Sequence, residues 1–399
     1  MSPDDQPAIA AADAVHAGFS GAGLAAFNAQ MHGLVDQRQL AGVVTLVARR
    51  GEVVNFDAYG KLDASAPAPV VKDSIFRLAS MTKPVIGAAM MMLWEEGKWA
   101  LDDPVARHIP QFEGLQVKSR DASLVAQASP MTMRQLMSHS AGFGRLGDYA
   151  DLNLREGDLQ GMIDKLAALP LTFQPGAEWR YGPSVDIQGH VVEKLSGQGL
   201  DEFLEERLFG PLGMADTGFW VDPAKSARVA RIHKYVDGEI APAGPSNAFN
   251  TTRPSFLSGG GGLLGTAPDY WRFAQMIAGG GEFAGRRYLR APTVELMHTN
   301  VLAKGVEVTL YTPETRGLGF GLDFAIVQDP AAAKTSQGVE SYYWGGAFGT
   351  WFWIDPVNDM IVIGMIQNVS GSTPGTGTPP MRELSARAVY AAMTDRKAG

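Results

Sequence analysis

The sequence predicts an α/β protein that carries an additional all-α region. Three observations predict it. β-prone runs stand near both ends of the chain, a long stretch of helical periodicity lies between them, and the apolar content is enough for a large core. Of the 399 residues, 45% are hydrophobic and 19% charged, which excludes disorder for the bulk of the chain. That length suits two or three co-folded modules rather than one minimal domain.

Each element has its own signal. Residues 1–12 are acidic and polar, without the basic start and apolar centre of a secretory signal, so a cytoplasmic location is the expectation. Residues 23–37 read as an amphipathic helix. The apolar runs 42–48 and 53–59 meet at Arg49-Arg50-Gly51-Glu52, a hairpin signal. From about residue 80 to 215 the periodicity turns helical. Ile187, Val191, Val192 and Leu195 recur on one face, and Phe203, Leu204 and Leu208 make a second, shorter one. Gln174-Pro175-Gly176 and Gly210-Pro211 punctuate these pieces. Strand character returns in 342–344, 350–354 and 360–366, the last two joined by a turn at 355–359. Leu384, Ala388, Val389 and Ala392 then close the chain with a helical pattern.

Charge and composition narrow the function. Lys and Arg total 34 against 42 Asp and Glu, a net −8 that disfavours nucleic acid or an anionic membrane as partner. The chain has no Cys, so disulfides, thiolate metal sites and a Cys nucleophile are excluded. The longest apolar run, near 84–94, is well short of a membrane span. The seven His residues never pair at helical metal spacing, and His190-Val191-Val192-Glu193 is followed by Lys194 where an inverted zinc motif needs a ligand. No metal is therefore expected. Gly260-Gly261-Gly262-Leu263-Leu264-Gly265 fits a dinucleotide fingerprint formally. It follows the polar, irregular stretch 247–258 rather than a strand, so it reads as a glycine loop entering a helix at 266–277. No serine sits in a G-x-S-x-G elbow, and regular βαβ alternation is absent, which together exclude an α/β-hydrolase.

One tetrapeptide stands out. In Ser80-Met81-Thr82-Lys83 a lysine lies three residues after a serine, at the point where the β-prone run 75–78 gives way to an apolar helix ending near Trp94. Pro84 fits a helix only in its first turn, which sets the helix start close to Ser80. A spacing of three puts both side chains on one face, beside the unpaired N–H groups and positive end of the helix. A hydroxyl is a weak nucleophile that needs a neighbouring base, and a desolvated lysine can be tuned to serve. Alone, Ser-x-x-Lys reads first as an ordinary N-cap serine followed by a surface lysine.

Its surroundings decide between the two. Phe76-Arg77-Leu78-Ala79-Ser80-Met81-Thr82-Lys83-Pro84 resembles the nucleophile segment of class C β-lactamases, penicillin-binding proteins and family VIII carboxylesterases. Five further segments fall in that family's order. They are Leu101-Asp102-Asp103-Pro104-Val105, Met131-Thr132-Met133-Arg134-Gln135-Leu136-Met137-Ser138-His139-Ser140-Ala141-Gly142, Pro175-Gly176-Ala177-Glu178-Trp179-Arg180-Tyr181, the glycine loop 258–266, and Trp344-Gly345-Gly346-Ala347. The resemblance runs from about residue 20 to 395. It implies a β-lactamase/transpeptidase-like fold, with a central antiparallel sheet flanked by helices. Residues 20–78 and 230–399 would form the α/β domain and 79–229 the mostly helical one, with the active site between them.

The same resemblance implies the site. Ser80 would be the nucleophile, with Lys83 and Tyr181 managing its proton and the family's tyrosine oxygen and lysine nitrogen converging on the serine hydroxyl. Which of the two is the formal base stays open, because a coupled pair titrates as a unit. The backbone N–H groups of Ser80 and Ala347 would form the oxyanion hole, with Trp344, Gly345, Gly346 and Tyr149 contacting substrate. Phe143, Tyr149 and Tyr311 are aromatic candidates for an acyl pocket. Departures from the lactamase pattern matter here. Tyr181-Gly182-Pro183 lacks the asparagine of class C enzymes, and Asp186 stands nearby with its role open. Trp344 replaces the third-motif lysine, so the cation that would pair with a β-lactam carboxylate gives way to one neutral N–H donor. The expectation is therefore a serine carboxylesterase acting on small acyl esters without a cofactor. The alternatives are a weak β-lactamase, a D-aminopeptidase or carboxypeptidase, or a penicillin-binding homologue with little turnover. Small-molecule esters, and secondarily β-lactams, are the partners expected, with neither nucleic acid nor membrane.

Overall fold

The computed structural model describes residues 13–236, 239–245, 249–309, 316–369 and 379–397. The leader 1–12, Tyr311 and residues 371–378 of the Gly/Thr/Pro-rich stretch lie outside the described residues. Seven antiparallel strands make the central sheet. They are β1 (Gly42–Arg49), β2 (Glu52–Gly60), β3 (Leu318–Phe320), β4 (Ala325–Val327), β5 (Tyr342–Gly345), β6 (Trp351–Asp355) and β7 (Met360–Met365), in the order β3-β4-β5-β6-β7-β1-β2. The two ends of the chain meet where β1 pairs β7, with Leu46 opposite Ile363. The β1–β2 hairpin closes at Arg50 (φ 54°) and Gly51 (φ 82°). Two successive left-handed residues are what a two-residue hairpin turn requires to match strand twist.

Among the helices of the described residues, those that bear on the sheet and the site are α1 (Gly21–Asp36), α2 (Thr82–Glu95), α3 (Met133–Met137), α4 (Ser184–Ser196), α5 (Ala267–Ala278) and α6 (Met381–Ala392). Side chains alternate across a strand, and β6 shows which helix covers which face. Trp351 donates its indole N–H to Ser385 Oγ on α6 (3.0 Å), whereas Phe352 packs on Tyr270 of α5 with ring centroids 4.9 Å apart. α1 joins α6 on the first face. With both faces covered, β1 is buried at every residue, which is why it reads as an unbroken apolar run. Among the described residues no helix is long and apolar enough to cross a membrane.

α2 packs against α4 and is buried from Thr82 to Leu93 without a break. Its Ala- and Met-rich body favours helix, Pro84 occupies its first turn, and the chain leaves it at Gly97 in the left-handed region (φ 71°). A helix apolar all round belongs inside a protein. Each large side chain it buries contributes about 1.5–3 kcal/mol. A carboxylate at Ala88 or Ala89 would therefore break it.

The strands expected at 342–344, 350–354 and 360–366 are present with ends shifted by one residue, and the first helix spans Gly21–Asp36 against the expected 23–37. β3 and β4 were not expected. Each is three residues long, and Gly317, Gly319 and Gly321 interrupt the β-prone pattern around them.

Candidate active site

Ser80 sits on a tight turn, Ala79–Met81, that runs directly into α2. Ala79 is left-handed (φ 47°), a strained conformation for a residue with a Cβ. Three contacts from distant segments hold the turn. Leu78 N donates to Leu263 O (2.9 Å), Thr350 Oγ1 donates to Leu78 O (3.0 Å), and Tyr270 Oη donates to Met81 O (3.0 Å). Ser80 stays partly exposed while Lys83 is buried. Lys83 Nζ donates to Ser80 Oγ at 3.1 Å, as the spacing of three requires, and also to the carbonyl of Gly260.

That carbonyl belongs to the glycine loop, and the loop is held by a carboxylate. Asp186, in the first turn of α4, accepts from Ser258 Oγ and from Gly260 N, both at 2.7 Å. Arg155 comes within 3.6 Å of its other oxygen. A buried carboxylate is favoured near a helix N-terminus and by charge-assisted donors. With its N–H fixed on Asp186, Gly260 offers its carbonyl to Lys83. This answers the role left open for Asp186: it anchors the loop that anchors the lysine. The sequence did carry a signal, since Val185-Asp186-Ile187 sets a carboxylate among apolar neighbours.

Tyr181 arrives from another direction. Arg180 N donates to His139 O (2.9 Å), and Tyr181 packs between Trp179 (6.1 Å between centroids, 11° between planes) and His139 (5.1 Å). Lys83 Nζ lies over the Tyr181 ring, 4.6 Å from its centroid. The tyrosine hydroxyl accepts from Trp344 Nε1 at 3.3 Å. So the lysine meets both the ring face and the serine, while the phenol oxygen accepts from the indole. A cation over an aromatic face is itself attractive. Burial, and then the charge of Lys83, hold the His139 imidazole well below its ordinary pKa, so it packs there as a neutral ring. Its place in the Ser138-His139-Ser140 stretch marked the motif but not this contact.

β5 brings up the far wall. Gly346 lies where a Cβ would fall 2.1 Å from Thr350 Oγ1 and 2.5 Å from Leu78 O, so only glycine lets the strand end meet the serine turn. The N–H of Gly346 is taken by Thr350 O at 2.7 Å. Ala347, the next residue, is exposed, and among the described residues no acceptor takes its N–H. Gly345 leaves β5 partly buried beside them. Tyr149 is buried, and its hydroxyl accepts from Gly144 N (2.7 Å), which ties down the loop before Tyr181. Phe143 packs on Phe112 with centroids 5.4 Å apart.

A serine–lysine pair at a helix start, a tyrosine on the lysine and a strand end against the serine turn now have a known counterpart. A family model described as Beta-lactamase matches residues 27–385. The chain belongs to that family. Protein Rv1367c of Mycobacterium tuberculosis is 33% identical over 378 residues, covering 90% of this chain and 94% of the relative. Esterase EstB of Burkholderia gladioli is 30% identical over 404 residues, covering 92% and 96%. Among solved structures, EstCE1, described as a hydrolase with promiscuous acyltransferase activity, superposes with a TM-score of 0.79 at 26% identity, covering 92% of this chain and 99% of its own. The β-lactamase/transpeptidase-like fold is thus established, and the chain is a serine hydrolase of that superfamily on its esterase-like side.

Proposed function

We propose that this protein is a carboxylesterase for small acyl esters, working through an acyl-enzyme on Ser80. One observation carries the reading: a buried lysine donates to a partly exposed serine at 3.1 Å, in a site whose third motif presents Trp344 instead of a cation. The likeness to an esterase, EstB, supports it. In this reading the lobe of residues 20–78 and 230–399 and the lobe of 79–229 face each other across the site.

The steps follow from the groups present. Ser80 Oγ attacks the ester carbonyl carbon while its proton passes into the Lys83–Tyr181 pair. The carbonyl oxygen becomes an oxyanion that the N–H groups of Ser80 and Ala347 stabilise, each worth about 2.7–4 kcal/mol in the transition state. The C–O bond to the alcohol breaks, and the alcohol leaves with the proton. Water then attacks the acyl-serine with the same pair as base, releasing the acid and restoring the serine. A neutral indole bound to Tyr181 gives no counter-charge to a substrate carboxylate, which disfavours β-lactams and D-alanyl peptides relative to simple esters.

Turnover of p-nitrophenyl acetate, butyrate and octanoate beside a chromogenic cephalosporin, with Ser80→Ala as control, tests this. The expected result is ester turnover reduced at least about 10³-fold in the variant, with little cephalosporin cleavage. Cephalosporin turnover above ester turnover would replace the esterase by the lactamase reading, and full activity in Ser80→Ala would remove Ser80 as nucleophile.

A further inference from the structure

Behind Lys83 lies a carboxyl that the proposed steps do not use. Asp323 stands in the turn between β3 and β4, in the left-handed region (φ 66°), with its N–H on Met137 O (3.1 Å) at the end of α3. Its side chain has no solvent exposure. It fills the space that Gly87 leaves on α2, where a Cβ would meet Asp323 Oδ2 at 3.0 Å. Gly87 is one helical turn beyond Lys83, and residues four apart share a helix face. Asp323 is therefore seated on the face of α2 that carries the lysine.

Among the described residues, the hydrogen-bond partner of its side chain is equally buried. Gln188 of α4 donates Nε2 to Asp323 Oδ1 at 3.2 Å. Among the described residues, two atoms of this contact have no partner, Asp323 Oδ2 and Gln188 Oε1. They are the atoms that a second hydrogen bond between a carboxyl and a carboxamide would join. As a carboxylate, Asp323 would set acceptor against acceptor there. As a carboxylic acid it donates O–H to Gln188 Oε1, and both orphans are satisfied.

We propose that Asp323 and Gln188 form an uncharged acid–amide pair that locks α4 to the Lys83-bearing face of α2 and so positions Lys83 for Ser80. Burial acts in the same sense, pushing the Asp323 carboxyl well above the ordinary carboxylate range against the pull of Lys83 and the Gln188 donor. The charged group that acts on it is Lys83 on α2. An uncharged Asp323 matters chemically, because it leaves the face of α2 that carries Lys83 without a buried negative charge. Asp323 is thus a positioning residue that touches no substrate.

The role of Lys83 rests on the esterase reading, so the test separates the two. Infrared spectra at pH 7 should show a protonated-carboxyl C=O band that disappears in Asp323→Asn. Asp323→Gly, which keeps the left-handed backbone unstrained, and Gln188→Leu should each lower kcat for p-nitrophenyl butyrate by about 10-fold or more, with KM little changed. The rate of Ser80 labelling by a p-nitrophenyl phosphonate should fall in parallel. Asp323→Asn, whose amide can make both bonds to Gln188, should restore these rates with the acid limb of the kcat/KM profile in place. Only carboxylate in the infrared spectrum, or an acid limb moved by about one pH unit in Asp323→Asn, would overturn the uncharged pair. Wild-type labelling with unchanged rates in both Asp323→Gly and Gln188→Leu would overturn the positioning role alone. A wild-type chain that takes no phosphonate at Ser80 would instead sink the esterase reading itself.

Discussion

The two halves of the site are built by different means. Ser80 and Lys83 lie three residues apart on one turn of helix, and helical geometry alone sets them 3.1 Å apart. Tyr181 and Trp344 are separated by 163 residues, and Asp186 reaches across 72 to Ser258. The pairing in the local half follows from where α2 starts, although distant contacts hold the turn that carries Ser80. The long-range half needs the sheet, the glycine loop, α4 and the segment after α3 to arrive together. The sequence spacing of the first half should therefore survive changes elsewhere in the molecule, whereas the seat of Lys83 and the whole second half should respond to residues that touch no substrate.

The largest effect that could break this comparison is at Tyr181. If the serine and lysine sufficed, Tyr181→Phe would cost little. With the phenol in the proton path, kcat/KM for p-nitrophenyl butyrate should fall by about 10²–10⁴-fold. The variant should stay folded, since the ring and its place under Lys83 remain. Activity within a few fold of wild type would make Lys83 the sole base and confine the chemistry to the local half.

Next comes a pH effect on the support of the long-range half. Asp269, in the first turn of α5, accepts from Asp216 N (2.8 Å) and Thr217 Oγ1 (3.0 Å), and burial raises its pKa to about 6. Its ordinary value is 3.8, so the folded state binds the proton more tightly than the unfolded one. Its contribution is therefore fully present below about pH 4 and lost as pH rises through 6, a change of about 3 kcal/mol. Asp269→Asn cannot ionise, so its stability relative to wild type should rise by that order between pH 4 and pH 7 in urea unfolding. A difference that does not vary with pH would mean that Asp269 is not the group titrating.

Asp186 comes third. Charge-assisted hydrogen bonds contribute about 1.5–3 kcal/mol, and Asp186→Ala frees the Gly260 loop. Ester kcat should drop about 10- to 100-fold with the Ser80–Lys83 spacing still set by the helix. Asp186→Asn, which keeps one acceptor, should fall between the variant and wild type. Equal kcat in all three proteins would show that Lys83 does not need the Gly260 carbonyl.

What could be read in advance divides along the same line. The Ser-x-x-Lys pair, the helix that carries it and the β1–β2 turn rest on local spacing, propensity and turn chemistry. The sequence displays all three, and the structure places these elements as expected. The order of segments around Tyr181 and Trp344 came from resemblance, because nothing in Pro175-Gly176-Ala177-Glu178-Trp179-Arg180-Tyr181 says where its ring will land. What stayed hidden was pairwise and distant. Asp186 on the glycine loop, Asp323 in the space beside Gly87 and the tyrosine hydroxyl turned to the indole depend on tertiary neighbours that no periodicity encodes. β3 and β4 were missed for a related reason, since strands of three residues between glycines form only because β5 offers them an edge to extend.

Trp344 gives the smallest effect and the sharpest reading of the long-range half. Its indole N–H is engaged by Tyr181 Oη at 3.3 Å, a long bond between neutral groups. Such a bond contributes about 0.5–1.5 kcal/mol net. Trp344→Phe keeps an aromatic body against Phe320 and Tyr181, whose centroids lie 5.4 and 5.3 Å from the indole, and removes only the donor. Ester kcat should fall about 2- to 10-fold with KM nearly constant, because the lost contact is to a catalytic group rather than to substrate. Trp344→Lys asks the complementary question. A cation at that position would offer a carboxylate-bearing substrate the partner it lacks, but it would also stand beside Tyr181 and compete with the Lys83 contact. Cephalosporin turnover relative to ester turnover should therefore rise in Trp344→Lys while ester turnover itself declines. If the ratio does not move, the residue at 344 acts only through Tyr181, and the preference for esters must come from the pocket walls rather than from the missing charge.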